Sequence, residues 1–292
     1  MIRLGVFLGL VLVAVGGQVA LADVEPNAAA TEAYNAYVEA YKAGDMAGAE
    51  AALKKARSAQ ADWAKACLEL GQLYIQQKKF APAVTELTEA TRLDPANAQG
   101  HLYLGQAYVG QEVYSKAYPC LQKALELDPA LNEAHRLMGA AYFEEGDYAK
   151  AQEHYTAYTT AVPGDATAFM RLAETQKKLG KKGAAAAAYK SAIKADPKLA
   201  TAYYNLGNLY LEGEDFAEAQ DAFTEAVKLE PNNVKAHFNL AIALHSQGEL
   251  EKARAEYQKV IQIGSGQKGS SATVKQAQDV IPALKTQIEA GK

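Results

Sequence analysis

Cysteine occurs twice and tryptophan once in the 292 residues, and there are only nine prolines. Two cysteines exclude a disulfide framework and an iron–sulfur protein. There is no C-x-x-C-H, which excludes covalent haem, and no H-E-x-x-H of the zinc peptidases. A G-x-S-x-G elbow, a Walker A loop and a glycine-rich loop after a strand are missing as well. Neither sign of charge dominates. Thirty Lys and Arg against 34 Asp and Glu give a net charge of -4, too acidic for a protein that grips nucleic acid through its phosphates. What the chain does have is an ordinary globular content of apolar residues, 49%, which excludes disorder.

Residues 1–22 read as an address. Arg3 supplies a positive start, Leu4 to Val15 is an unbroken apolar run, and Ala20-Leu21-Ala22 offers a small-x-small cleavage pattern before Asp23. The run is too short to span a bilayer comfortably, which takes about 20 apolar residues. The pattern predicts a secretory signal peptide cleaved between Ala22 and Asp23, no transmembrane span afterwards, and a periplasmic or secreted destination.

The prolines at 95, 129, 163, 197 and 231 stand 34 residues apart. Placing them at position 32 of a repeat gives a frame without insertions: 30-63, 64-97, 98-131, 132-165, 166-199, 200-233 and 234-267. Positions not used to build the frame agree with it. Position 20 is Ala49, Ala83, Ala117, Ala151, Ala185, Ala219 and Ala253. Position 24 is always large: Leu53, Leu87, Leu121, Tyr155, Tyr189, Phe223 and Tyr257. Position 8 is small in six repeats: Gly71, Gly105, Gly139, Ala173, Gly207 and Ala241. Spacings of three and four put positions 4, 7, 8 and 11 on one face of a first helix, and 20, 24 and 27 on one face of a second. Small residues at 8 and 20 let the helices approach closely beside the bulky residue at 24. The proline at 32 ends the second helix.

This pattern resembles the tetratricopeptide repeat, a 34-residue helix–turn–helix unit; ATAYYNLGNLYLEGEDFAEAQDAFTEAVKLEPNN, residues 200–233, is close to its consensus. The resemblance implies an all-α fold, a right-handed α-solenoid of seven repeats over 30-267 after a short lead-in at 23-29. Residues 268-292 follow as a linker and a C-terminal capping helix, with Val274, Ala277, Ile281, Leu284 and Ile288 roughly on one face. Pro282 inside that helix is expected to kink or split it. Repeat one is atypical, as terminal repeats are. Repeat five departs at Gln176 and Lys182, where apolar residues are usual.

No catalytic centre, cofactor or metal site emerges. His101, His135 and His237 share position 4, with Cys67 there in repeat two, but equivalent positions lie on helices separated by another helix. Zinc needs every donor within about 2.0–2.3 Å. Position 4 is a packed aromatic in the resembled family, so these residues are expected to be core substitutions. Cys67 and Cys120 fall on different helices and are expected to stay unpaired. The cluster Lys177, Lys178, Lys181 and Lys182 is expected to be solvated.

The resemblance further implies that the first helix of each repeat lines a groove for a bound peptide. Mapped here, the groove takes Leu102 in repeat three, and Arg136 and Phe143 in repeat four. Met170 and Glu174 follow in repeat five. Repeats six and seven add Tyr204, Asn205, Asn208, Leu211, Phe238, Asn239 and Ile242. The basic clamp for a C-terminal carboxylate is lacking, since Tyr204, Phe238 and Ile242 stand at its cation positions. Exposed Tyr204, Leu211, Phe238 and Ile242 are expected to form an interaction surface. The competing expectation is that the C-terminal helix or neighbouring helices cover them. The chain reads as an exported, non-catalytic scaffold or adaptor for another envelope or periplasmic protein. A self-associating structural subunit, with a homo-oligomer as its product, and an accessory of polysaccharide secretion are the alternatives.

Overall fold

A computed structural model of the chain describes residues 25–291; the expected signal peptide over 1–22 lies outside the described residues. Among the described residues there are fifteen α-helices and no strand. The described residues divide into two compact units, with the boundary between Ala141 and Tyr142.

In the first unit, α1 (Ala28–Lys42) pairs with α2 (Met46–Ala59), α3 (Ala64–Gln76) with α4 (Phe80–Leu93), and α5 (Ala98–Gly110) with α6 (Tyr114–Leu127). The helix α7 (Asn132–Glu144) starts in this unit and ends in the next. In the second unit, α8 (Tyr148–Ala161) packs on α9 (Ala166–Lys178), which pairs with α10 (Lys182–Ala195). The hairpins of α11 (Ala200–Leu211) with α12 (Phe216–Leu229) and α13 (Val234–Ser246) with α14 (Leu250–Gly264) follow, and α15 (Ser271–Ala290) closes the unit. The odd-numbered first helices from α3 onward start 34 residues apart up to α13, as do the even-numbered second helices from α2 to α14.

Local chemistry explains this regularity. Asn27, Asn97, Asp165 and Asn233 cap first helices by accepting a hydrogen bond from a backbone N–H three residues on. Second helices end on Asp94, Asp128, Val162, Asp196 and Glu230, whose φ of −125° to −142° and positive ψ are the extended geometry that a following proline imposes. The turn inside every repeat needs a left-handed residue at position 15. Gly44, Gly146, Gly180 and Gly248 take it without strain, whereas Lys78, Glu112 and Glu214 take it at φ of 57°, 62° and 62°.

The close helix approach is visible atom by atom. A Cβ on Gly71 would lie 2.4 Å from Leu87 Cγ, one on Gly105 2.5 Å from Leu121 Cδ2, and one on Gly207 2.7 Å from the Phe223 ring. Leu87, Leu121 and Phe223 are fully buried, and each such side chain contributes about 1.5–3 kcal/mol by leaving water. Position 8 is therefore the socket for position 24 of the same repeat.

The last helix occupies the place of a further first helix. It packs chiefly on α14 and also on α13, burying Val274, Ala277, Leu284 and Ile288, while Lys275, Gln278, Asp279 and Lys285 face water. It runs unbroken through Pro282, so the expected split does not occur. The proline costs one main-chain bond on a helix held by its buried stripe, and α6 tolerates Pro119 in the same way.

A candidate binding face on the first helices of the second unit

The expected groove residues of repeats five to seven sit on α9, α11 and α13. Their exposure differs from the expectation. Tyr204, Leu211, Phe238 and Ile242 are half-buried and pack against the core made by Phe223, Leu240, Leu244 and Tyr257. Phe238 stands edge-on to Tyr257 at 5.5 Å, and Tyr204 is tilted on Phe223 at 5.9 Å. The large position-24 rings reach through beneath the groove and support these side chains from below. The face is thus a shallow one whose rings show only part of their surface. Among the described residues, the large apolar side chains that are clearly exposed are Tyr41 (38%) and Met46 (40%), both in repeat one.

Polar groups punctuate this face. Asn239 Nδ2 donates to Asn208 Oδ1 at 2.7 Å, joining α13 to α11. The bond uses one donor of Asn239 and one lone pair of Asn208, which leaves both amide donors of Asn208 and the carbonyl and second donor of Asn239. Asn205 is half-buried on the same helix as Asn208, and Met170 and Glu174 are half-buried on α9. Glu174 accepts from Arg171 at 3.0 Å. The lysine cluster is largely engaged: Lys177 pairs with Glu212 at 2.5 Å, Lys182 donates to the Glu212 carbonyl at 3.2 Å, and Lys181 donates to Gln152 at 2.8 Å.

The remaining expected residues are not all surface. Leu102 is only 3% exposed and belongs to the core of the first unit, so it offers nothing to a ligand. Arg136 is held by both oxygens of Glu133 one turn before it. Phe143 stands edge-on to Tyr148 at 5.3 Å.

Sequence reading missed a tyrosine ladder on α1. Tyr34, Tyr37 and Tyr41 follow one another at 5.3 and 5.8 Å, and Tyr34 also meets Trp63 at 5.2 Å. The hydroxyls of Tyr34 and Tyr37 donate to the two oxygens of Glu69, at 3.3 and 3.1 Å. Burial first, then the charge of Glu69 and the hydrogen bond to it, push the Tyr34 phenol up to about 12 and raise Tyr37 as well, so both remain donors. The signal was the spacing of 34, 37 and 41, hidden because repeat one reads as a degenerate end.

Two of the histidines at position 4 have a structural employment. His101 and His237 each place Nε2 3.0 Å from the carbonyl of the proline that closes the preceding repeat, Pro95 and Pro231. His237, 4% exposed, also places Nδ1 2.6 Å from Glu256 on α14. Burial acts to raise the Glu256 carboxyl, but the hydrogen bonds from His237 and Lys259 outweigh it and hold the group below the ordinary carboxylate range. Among the described residues no three His, Cys, Asp or Glu side chains gather as a metal would require, and Cys67 and Cys120 are both free thiols. No helix among the described residues is long and apolar enough to cross a membrane.

Comparison with known proteins accords with this geometry. A family model described as Tetratricopeptide repeat matches residues 102–166 and 204–268, and one described as TPR repeat matches 71–112 and 175–213. Together they cover about two thirds of the chain. No curated protein matches the chain in sequence. Among solved structures, the C-terminal part of a TPR repeat-containing protein from Cytophaga hutchinsonii superposes with a TM-score of 0.71 at 12% identity, covering 82% of this chain and 99% of that one. YrrB, a TPR protein with an unusual peptide-binding site, gives 0.57 at 19% identity over 66% of this chain and 97% of its own. MamA from Desulfovibrio magneticus RS-1 gives 0.54 at 23% identity over 58% and 96%. The period, the sockets at position 8 and the matched repeats make this chain a member of the tetratricopeptide repeat proteins.

Proposed function

We propose that this chain is an exported, non-catalytic adaptor that holds an extended segment of another envelope protein across α9, α11 and α13. The observation that carries the reading is the bonded pair Asn208–Asn239, at 2.7 Å, flanked by the half-buried rings of Tyr204 and Phe238. An extended main chain offers one donor and one acceptor per residue, and the pair keeps amide N–H donors and the Asn239 carbonyl in reserve. Aromatic rings beside such a pair supply apolar contact at small entropic cost. A shallow face whose rings are packed from below suits a main chain lying flat better than a deeply inserted side chain. That YrrB carries a peptide-binding site supports the same class of ligand. The polar outer side of α15 weighs against head-to-tail growth at that end.

The test is photo-crosslinking from positions 204 and 238 in living cells, combined with Phe238→Asp. The reading requires one envelope protein captured from both positions and lost in the variant. Capture only from second-helix positions would reject it. Export is tested on the same cells: the purified protein should begin at Asp23 and fractionate with the envelope, and an intact N-terminus in the cytoplasm would reject that part.

A further inference from the structure

The second-helix side of repeats six and seven carries a feature that the groove reading does not use. A cleft of about 890 Å³ opens between α12 and α14, with α13 as its floor. The floor is closed by His237, Leu240 and Leu244, at positions 4, 7 and 11 of their repeat, each buried to 4–5% exposure. The groove-side residues Phe238 and Ile242 do not line it, so the cleft lies on the opposite side of α13 from the proposed peptide face. Val227 and Ile263 add apolar walls.

Its charge is opposite to that of the chain. The formally charged lining residues are Lys228, Lys252, Lys259 and Glu256, three ammonium groups against one carboxylate, in a protein of net charge -4. Glu256 is already committed, to His237 at 2.6 Å and to Lys259 at 2.7 Å. Lys228 and Lys252 each meet a glutamate three residues earlier, Glu225 and Glu249, outside the lining. Both lysines are about 70% exposed, and pairs that exposed hold a lysine by no more than about 1 kcal/mol, so the ammonium groups can turn to a ligand. Sequence position explains why they gather. Lysine occupies positions 29, 19 and 26 across this repeat junction, whereas the junction before it has Lys194, Glu218 and Glu225.

The dimensions select the shape of the occupant. The lining runs from Gln220 to Lys228 on α12 and from Lys252 to Ile263 on α14, which at 1.5 Å per residue is about two to three helical turns. Two parallel walls whose inner sides carry Val227, Ala255 and Ile263, with cationic rims, are the complement of an amphipathic helix. We infer that this cleft docks an acidic amphipathic helix of a partner protein, its apolar stripe on Val227, Ala255 and Ile263 and its carboxylates on Lys228, Lys252 and Lys259. The buried bridge from the Pro231 carbonyl through His237 to Glu256 fixes the floor against the wall before the helix arrives.

The probe is a labelled amphipathic peptide with leucines on one helical face and glutamates on the other, followed by fluorescence anisotropy. The same peptide with lysines for glutamates is the comparison. The purified protein should bind the acidic peptide, lose affinity as salt rises, and not bind the basic one. Lys228→Glu with Lys252→Glu should weaken binding at least about tenfold. Ala255→Trp, at an exposed lining position, should block the cleft without touching the core. Lys275→Glu with Lys285→Glu on α15 makes the same change in net charge and should alter affinity less than about twofold. Equal binding of both peptides, an unchanged affinity in the cleft variants, or binding to phosphatidylglycerol vesicles in place of the peptide would each overturn the inference.

Discussion

Gly105→Ala tests the socket that position 8 makes for position 24 in six of the seven repeats. A Cβ at this position would lie 2.5 Å from Leu121 Cδ2, 2.6 Å from its Cγ and 3.3 Å from its backbone nitrogen. Carbon atoms rest about 3.5–4.0 Å apart, so Leu121 must retreat by about 1 Å. The nearness of Cγ and of the backbone means that no rotamer change alone achieves it. Overpacking of this kind costs about 1–3 kcal/mol. Replacing glycine by alanine inside a helix returns about 0.5–1 kcal/mol. The expected net loss is therefore about 0.5–2 kcal/mol. Leu121→Ala alone should cost about 2–5 kcal/mol, because it opens a cavity at a fully buried site. In the double variant the new methyl enters the vacated space, so the combined loss should fall short of the sum by at least about 1 kcal/mol. Repeats five and seven supply an internal control. They carry Ala173 and Ala241 at position 8 with Tyr189 and Tyr257 at position 24, so a flat ring accommodates the methyl. Gly207→Ala, opposite Phe223, should accordingly cost less than Gly105→Ala. Urea unfolding followed by far-UV circular dichroism gives the order. A Gly105→Ala protein as stable as the parent, with strictly additive losses in the double variant, would refute the socket.

Three further outcomes are expected. Glu214→Gly should raise stability by about 0.5–1 kcal/mol, because a left-handed non-glycine residue carries about 1–2 kcal/mol of strain and glycine gives back part of this as chain entropy; an unchanged melting temperature would count against strain at that turn. Gln176→Leu should stabilise by about 1–2 kcal/mol, since Gln176 Oε1 is buried with no hydrogen-bond partner among the described residues; a lower urea midpoint would mean that the amide is satisfied. Glu50, bonded to Lys54 at 2.7 Å and Lys79 at 2.9 Å, has its carboxyl lowered to about 2 by those two hydrogen bonds, against an ordinary value of 4.5. Its contribution is present above the unfolded value and fades as pH falls from about 4.5 towards 2. Glu50→Gln should therefore cost about 1 kcal/mol at neutral pH, discounted for solvent, and nothing near pH 2; a loss that persists in acid would exclude the linkage.

Much of this architecture was legible because it is periodic. Five prolines set the frame, and the alanines at position 20 and the bulky residues at 24 corroborated it independently. The sockets at Gly71, Gly105 and Gly207 could be named from sequence because a small and a large residue recur at fixed spacing. Exposure was less legible. A repeat pattern tells which face of a helix a residue occupies, not how far a ring from the neighbouring helix reaches beneath it, so Phe238 and Ile242 read as open when Tyr257 and its neighbours half-cover them. Leu102 likewise read as groove and is buried in the core of its unit. The bridge from Pro231 through His237 to Glu256 joins residues 19 and 6 apart in sequence through one buried ring, and no single-helix pattern reveals a three-body contact. The lysine-rimmed cleft was likewise divided between two repeats.

The position of α15 has a consequence for how such a chain changes length. Helix packing in the second unit runs chiefly between neighbours and next-but-one neighbours, so each hairpin behaves as one monomer of a linear polymer whose bonds are nearest-neighbour interfaces. In those terms α15 is the end group: it covers the last hairpin through Val274, Ala277, Leu284 and Ile288 and turns a polar side outward. A hairpin duplicated or deleted in register ahead of it leaves the terminating contact intact, so the number of repeats is free to vary while the end group stays the same.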